Sequence, residues 1–390
     1  YNVPNLRFPE FSGEWEMSSI GEQFELYSGN TPSRMNKNQF DGSINWITSG
    51  ELKEHYISDT KEKISEEAAK NNSLKLLPVG TFVIAIYGLE ANGVRGTCSI
   101  TTRESTISQA CMAFTSKMDI QNEFLYSWYK KHGNIIGIKY AQGTKQQNLS
   151  YDIIERFNIS YPCMEEQKKL IRFISLIDQR IATQNKIIED LKKLKSAIIE
   201  IEYSPKDSYH SHIGGAIVQI SKRNKDNHLC NVLSVSNRQG FIKQSEQFED
   251  RNVASDDTSN YKIVEKNDFA YNPARINVGS IARLTKFETG IVSPMYICFR
   301  TKDCLLPEYL ELFFESRNFF YHIQKRLEGS VRLCLSYEEL CNIPIVIPSI
   351  EKQKQVDLHL SKLAQKIDLE MKILQFVQQQ KTYLLHQMFI

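Results

Sequence analysis

The sequence predicts an α+β protein built twice over. Two similar α/β domains stand in tandem, each followed by a long helix, and the two helices pair as an antiparallel coiled coil about a pseudo-two-fold axis. Three observations predict this. The halves match at an offset of about 186 residues, a period that means duplicated domains, not a solenoid. Each half ends in an apolar run closed by a proline, Pro162 or Pro348, after which neither proline nor glycine occurs for the length of a long helix. Within those proline-free stretches leucine and isoleucine recur at steps of three and four, the signature of a coiled-coil seam.

The repeat is read from fixed blocks. Gly143 answers to Gly329, Leu149-Ser150-Tyr151 to Leu335-Ser336-Tyr337, and Pro162 to Pro348. Glu165 with Gln167-Lys168 answers to Glu351 with Gln353-Lys354. Upstream, with slips of a residue, Phe82 matches Phe269, Ser108 matches Ser293, Phe114 matches Phe299, Glu123 matches Glu308 and Leu125 matches Leu310. Loop insertions between fixed blocks produce such slips. The segments are then 1–162 (first domain), 163–203 (first helix), 204–348 (second domain) and 349–390 (second helix). The surroundings of the linker Glu202–Ser211 do not align with Trp15–Gly21.

Within each domain the order of elements is the same. Val79–Tyr87 reads as a strand, and Gly88–Gly96, with three glycines, as a loop. Glu123–His132 and Glu308–Gln324 read as aromatic-rich amphipathic helices. The loops Gln142–Asn148 and Glu328–Cys334 follow, then an apolar strand ending at the proline. The first seam takes Leu170, Ile174, Ile177, Ile181, Ile188, Leu191, Leu194, Ile198 and Ile201. The second takes Val356, Leu360, Leu363, Ile367, Leu374, Val377, Leu384 and Met388. Gln184, Glu370 and Lys381 interrupt them. About 37 residues at 1.5 Å each make a helix of roughly 55 Å, which needs a partner stripe.

Composition narrows the function. Forty-eight basic and 46 acidic residues leave a net charge of +2, so any nucleic-acid footprint must be local. No run is long and apolar enough to span a bilayer, and the first residues do not resemble a signal peptide. Eight cysteines, at 98, 111, 163, 230, 298, 304, 334 and 341, form no Cys-x-x-Cys pair and no zinc-ligand spacing. They read as free thiols of a reducing cytoplasm. No phosphate-binding glycine loop is present. Asn272-Pro273-Ala274 lacks the second proline and the aromatic of an adenine-methyltransferase signature and reads as a turn after a strand. Glu51-Leu52-Lys53 with Asp41 has a spacing nucleases use but reads as a charged loop or strand edge. His210-x-His212 reads as linker.

The chain resembles the specificity subunits of type I restriction–modification systems. The resemblance is carried by Gly29-Asn30-Thr31-Pro32, Ile44–Gly50, Gly80–Ile86 and Ser108-Gln109-Ala110 in the first half. In the second half it is carried by Tyr271–Ile281 and Gly290–Pro294, and in both halves by Pro-x-x-Glu-x-Gln-Lys. It implies that the two domains are target-recognition domains, each reading one half of a split DNA sequence, with the helices as spacer. It also implies two copies of an adenine methyltransferase subunit docked on one copy of this chain, and an ATP-dependent motor–nuclease subunit for restriction. S-adenosylmethionine and ATP then belong to those partners, and this chain carries no cofactor, metal or catalytic residue.

Base edges are read in bidentate fashion by Arg, Lys, Asn and Gln. The candidates are Asn92 and Arg95 in the glycine-bearing loop, Lys145, Gln146 and Gln147 after Gly143, Arg275 and Asn277 after the Asn-Pro turn, and Arg332 at the position equivalent to Gln146. Two other classes of function stay open at this point. A two-headed protein-interaction scaffold has the near-neutral charge in its favour. A stand-alone methyltransferase or nuclease lacks the motifs for its cofactor or metal.

Overall fold

The computed structural model describes residues 2–117, 119–204, 211–237, 239–247, 257–328 and 333–390. They form two compact units, one of residues 1–185 with 372–390, the other of residues 186–371. Both boundaries fall inside long helices, Met164–Glu202 and Ile350–Met388, each of 39 residues.

The first unit is organised by a mixed sheet whose central strand, Phe82–Ala85, is buried at every position. Aromatic and β-branched side chains suit a strand covered on both faces. It runs antiparallel to Cys98–Thr101 on one side and Cys111–Ser116 on the other, and the register places Phe82 opposite Phe114. In the second unit Phe269–Tyr271 has the same neighbours, Ile281–Arg283 and Ile297–Thr301, with Phe269 opposite Phe299. The matched phenylalanines of the sequence repeat are thus cross-strand partners in both units. A second sheet accompanies each, of three strands in the first unit and four in the second. Its parallel pair is Ile44–Ile47 with Ser105–Ile107 in the first unit and Val232–Ser236 with Thr289–Val292 in the second.

Beginnings of the repeats that do not align by sequence align in space. Ile20 donates its amide to the Phe157 carbonyl at 2.7 Å, and Ile213 donates to Ile343 at 2.9 Å. Each then opens a four-residue helix, Ile20–Gln23 or Ile213–Ala216.

Three expectations need correction. The helix expected over Glu308–Gln324 is two, Pro307–Phe314 and Arg317–Arg326. Ser316 sits between them: its hydroxyl donates to the Phe313 carbonyl at 2.7 Å and accepts from the Phe319 amide at 3.2 Å, which ends one helix and caps the next. Its counterpart runs on from Asn122 to Tyr140, because Gly133, Ile136 and Gly137 continue the buried face. The apolar strand expected before Pro162 is present as Asn158–Tyr161, but the run before Pro348 forms only a bridge from His212 to Pro344. Pro344 and Pro348 have no N–H to give to a ladder.

The helix ends pair within each unit. In the first, Lys381 Nζ lies 2.5 Å from Asp178 Oδ1, and Leu385, Met388 and Phe389 share a core with Leu170 and Ile174. In the second, Lys352 Nζ is 3.5 Å from Glu202 Oε2, and Val356 and Leu360 share a core with Ile199. The start of the first helix meets the end of the second, and its end meets the second's start, which is the antiparallel order.

The seam departs from expectation near the end of the first helix. Leu194 and Ile201 are 50% and 74% exposed, while Ile199 and Tyr203 are buried. A straight helix drifts against a 3.5-residue seam. Here the buried line turns toward Tyr309 and Phe313, against which Tyr203 packs with ring centroids 4.9 and 5.5 Å away.

Candidate nucleic-acid interface

In the first unit two loops are clasped together. Gln142 and Asn148 exchange backbone hydrogen bonds of 2.9 Å, closing the 142–148 loop into a short ribbon. Gly143 stands in the left-handed region at φ +118°, and a side chain there would collide with the Gln146 carbonyl. The Leu89 amide donates to the Gln147 carbonyl at 3.0 Å, and Gly88 N–H to Asn148 Oδ1 at 3.2 Å. The Gln147 amide donates to Glu90 Oε2 at 2.7 Å and holds that carboxyl below its ordinary range. Arg95 Nη2 donates to Gln147 Oε1 at 2.7 Å. The stem of Arg95 lies across Gly137, where a Cβ would meet its Cγ at 2.5 Å. The helix surface is cut away to admit the arginine.

Five sequence-predicted residues therefore fall on two adjoining loops. Arg95 and Gln147 bond one another and are half-buried; Asn92, Lys145 and Gln146 are exposed. Among the described residues, the side chains of those three have no hydrogen-bond or ion-pair partner, so their polar groups are free to meet a ligand.

The second unit repeats the frame. Glu328 and Cys334 exchange backbone bonds of 3.0 and 2.8 Å, 186 positions beyond Gln142 and Asn148. The Leu335 amide donates to the Pro273 carbonyl at 3.0 Å, as Leu149 donates to Ile86 at 2.8 Å. Pro273 belongs to the Asn-Pro turn, in which Asn272 Oδ1 accepts from the Ala274 amide at 3.0 Å. Asn272 is buried and this bond makes it a turn residue. Arg275 and Asn277 follow, both exposed, on a short 3-10 segment that ends at Gly279 with φ +88°. Arg332 lies outside the described residues. An open cleft of about 430 Å³ adjoins this turn, lined by Ile276, Gly279, Asn237, Phe314 and Phe320. Arg283 also lines it, but is engaged by Glu308 and Glu311 and is not free to read a base.

Several charged residues, among them Glu51 of the triplet noted in the sequence, are structural. Glu51 accepts from the amides of Thr48 and Lys61 at 2.8 and 2.7 Å, a capping role. Arg300 is held between Asp268 and Glu265, which keeps its guanidinium charged. Cys98, Cys111 and Cys298 are buried free thiols, with burial pushing each up to about 12, whereas Cys163, Cys230 and Cys304 are exposed. Among the described residues, no His/Cys/Asp/Glu group could hold a metal ion and no helix is long and apolar enough to cross a membrane.

Residues that sequence reasoning did not assign are Gln167 and Gln353. Both are fully buried and bind the start of a long helix to its domain. The signal was present, since a glutamine stands five residues beyond the proline in both repeats.

Fold and loop frame together define a duplicated, two-domain protein whose exposed loops carry base-reading side chain types. Residues 12–193 match the type I restriction modification DNA specificity domain. The chain is 28% identical over 199 residues to the specificity subunit of the type I restriction enzyme MjaIX from Methanocaldococcus jannaschii, covering 49% of this chain and 45% of that protein. It is 27% identical over 197 residues to the EcoR124I/EcoR124II specificity subunit from Escherichia coli, covering 50% and 47%. The matched segment thus spans about half the length of these curated relatives. The fold is similar to the crystal structure of the type I restriction–modification S subunit from M. genitalium, with a TM-score of 0.57 at 15% identity over 100% of this chain and 99% of that one. It is also similar to a chain from a structure of a type I R-M system, with a TM-score of 0.59 at 13% identity over 95% and 96%. Residues 12–193 thus resemble type I restriction modification DNA specificity domains, and the matched relatives are specificity subunits of type I restriction enzymes.

Proposed function

We propose that each unit reads one half of a bipartite DNA target, and that the chain does so as the non-catalytic scaffold of a cytoplasmic methyltransferase and restriction complex. The observation that carries this reading is the repeated loop frame with unrepeated side chains. The same backbone bonds hold Leu149 to Ile86 and Leu335 to Pro273. Asn92, Lys145 and Gln146 stand exposed on the first frame, Arg275 and Asn277 on the second. A constant frame with different donors and acceptors is what two unlike half-sites require.

The partners in this reading are two copies of an adenine methyltransferase subunit, holding S-adenosylmethionine, and an ATP-dependent motor–nuclease subunit, with one copy of this chain per complex. Exposed apolar side chains on the long helices support it. The first helix exposes Leu176, Ile187, Leu194 and Ile201, the second Leu358, Leu369, Phe376 and Tyr383. Both series run at steps of eleven, seven and seven residues, with Met371 also exposed on the second helix, and lie 182 residues apart, about one helical turn short of the repeat offset, so two copies of one partner would meet similar ridges displaced by a turn.

Exchange of residues 15–160 for another recognition domain, in the complex with its methyltransferase subunit, tests the reading. One half of the methylated motif changes and the other stays. A motif unchanged, or changed in both halves, contradicts it. The near-neutral charge favours a second reading, a two-headed protein scaffold, which predicts no sequence-dependent DNA binding by the assembled complex.

A further inference from the structure

We infer that Gln167 and Gln353 are positioning residues that fix the orientation in which each domain is carried on its long helix, and thereby the accuracy with which it meets its half-site. This rests on the DNA-reading function proposed above. Gln167 Nε2 donates to the Pro162 carbonyl at 2.9 Å and to the Asp119 carbonyl at 2.6 Å, while its Oε1 accepts from the Gln121 amide at 3.0 Å. Gln353 Nε2 donates to the Pro348 carbonyl at 2.9 Å and to the Cys304 carbonyl at 2.9 Å, while its Oε1 accepts from the Leu306 amide at 2.8 Å. The two sets correspond atom for atom.

Each side chain ties three segments together: the helix that bears it, the proline before that helix, and the turn that opens the aromatic-rich helix of the domain. Both glutamines are 0% exposed. Their main-chain amides also close the first helical turn, onto Cys163 and Ser349 at 3.0 Å. Only an amide of this length offers two donors and an acceptor at one terminus. Glutamate would set a carboxylate against two carbonyl oxygens, and methionine would fill the space without direction. Hydrogen bonds hold an angle, because they weaken steeply when bent; apolar packing alone resists sliding far less.

Neighbouring polar contacts are not repeated. Glu166 pairs with Arg7 at 2.7 Å, whereas its counterpart Lys352 reaches Glu202 at 3.5 Å. The rest of the joint has diverged, and the glutamine has kept every bond. Apolar packing in its place would leave two buried carbonyls and one amide of the joint without partners.

The test uses the full chain assembled with its methyltransferase subunit. Methylation rates are measured on duplexes with the cognate spacing between half-sites and with one base pair more or fewer. Gln353→Met lowers the cognate-to-shifted rate ratio about ten-fold, equivalent to about 1.4 kcal/mol of lost discrimination. Gln353→Asn, which keeps the amide but is one methylene short, gives an intermediate ratio. Val264→Ala, a core truncation remote from the joint, lowers thermal stability but leaves the ratio unchanged. A Gln353→Met ratio within two-fold of the wild type, with all rates falling together, overturns the inference. If that variant does not assemble, the Gln353→Asn ratio decides by the same criterion. A wild-type complex that does not distinguish the spacings refutes the DNA-reading proposal itself, and so separates the two failures.

Discussion

Replacing Phe389 by alanine tests whether the end of the second long helix is part of the first domain's core. Phe389 is 2% exposed and packs on Phe124 with ring centroids 5.2 Å apart. Around it, Trp128 Nε1 donates to the Ile390 carbonyl at 3.0 Å and Lys131 Nζ to the Phe389 carbonyl at 2.5 Å. Removing a buried phenylalanine ring costs about 3–5 kcal/mol, as lost transfer energy and a cavity. The first unit comprises 204 residues. For a unit of that size each kcal/mol lowers Tm by about 2–4 °C, so the expected fall is roughly 6–20 °C. Thermal unfolding followed by circular dichroism reads the shift. Tryptophan emission gives an independent signal, because the Trp128 indole is bonded to the carbonyl of Ile390, next to the residue truncated. A Tm within about 2 °C of the wild type, with unchanged emission, would refute the claim that residues so far apart in sequence form one core.

Gln146→Ala is expected to cost about 1–3 kcal/mol of discrimination at the first half-site and nothing at the second, measured by competition binding of the assembled complex to singly substituted duplexes. Burial, aided by Lys131, holds the His132 imidazole down to about 4 against an ordinary 6.5, beside the Ile390 carbonyl it contacts at 3.0 Å. The unfolded chain therefore takes up a proton between about pH 6.5 and 4 that the folded chain refuses, and stability falls as pH drops through that window. His132→Gln should flatten the slope of the urea midpoint between pH 7 and 5, and an unchanged slope would show that another group is responsible.

Much of the fold was legible because duplication writes the same constraints twice. Phe82 with Phe114 and Phe269 with Phe299 could be matched by sequence since each pair fills the centre of a sheet, where few side chains fit. The long helices were legible from seam periodicity and the lack of proline and glycine. What escaped depends on contacts that no local pattern encodes. Ser316 breaks a helix through two hydrogen bonds of one hydroxyl, and Ile199 displaces Leu194 and Ile201 from the seam because an aromatic cluster lies on its side. The packing of Phe389 on Phe124 joins residues far apart in the sequence.

The candidate site was legible in outline. Glycines at 88, 93, 96 and 143 marked the loops, and the residue types within them suggested base reading. That Arg95 would bond Gln147, while Lys145 and Gln146 remain exposed, follows from how the loops are clasped, and spacing alone does not reveal it. Gln167 and Gln353 were visible as a repeated motif, but their role required the carbonyls they hold.

The most direct test of the account is methylome sequencing of a host carrying the cognate methyltransferase subunit, with and without an intact copy of this chain. The account predicts a split, adenine-methylated motif that is present only with the chain. Unchanged methylation, with a methyltransferase subunit shown to be expressed and active, would contradict it.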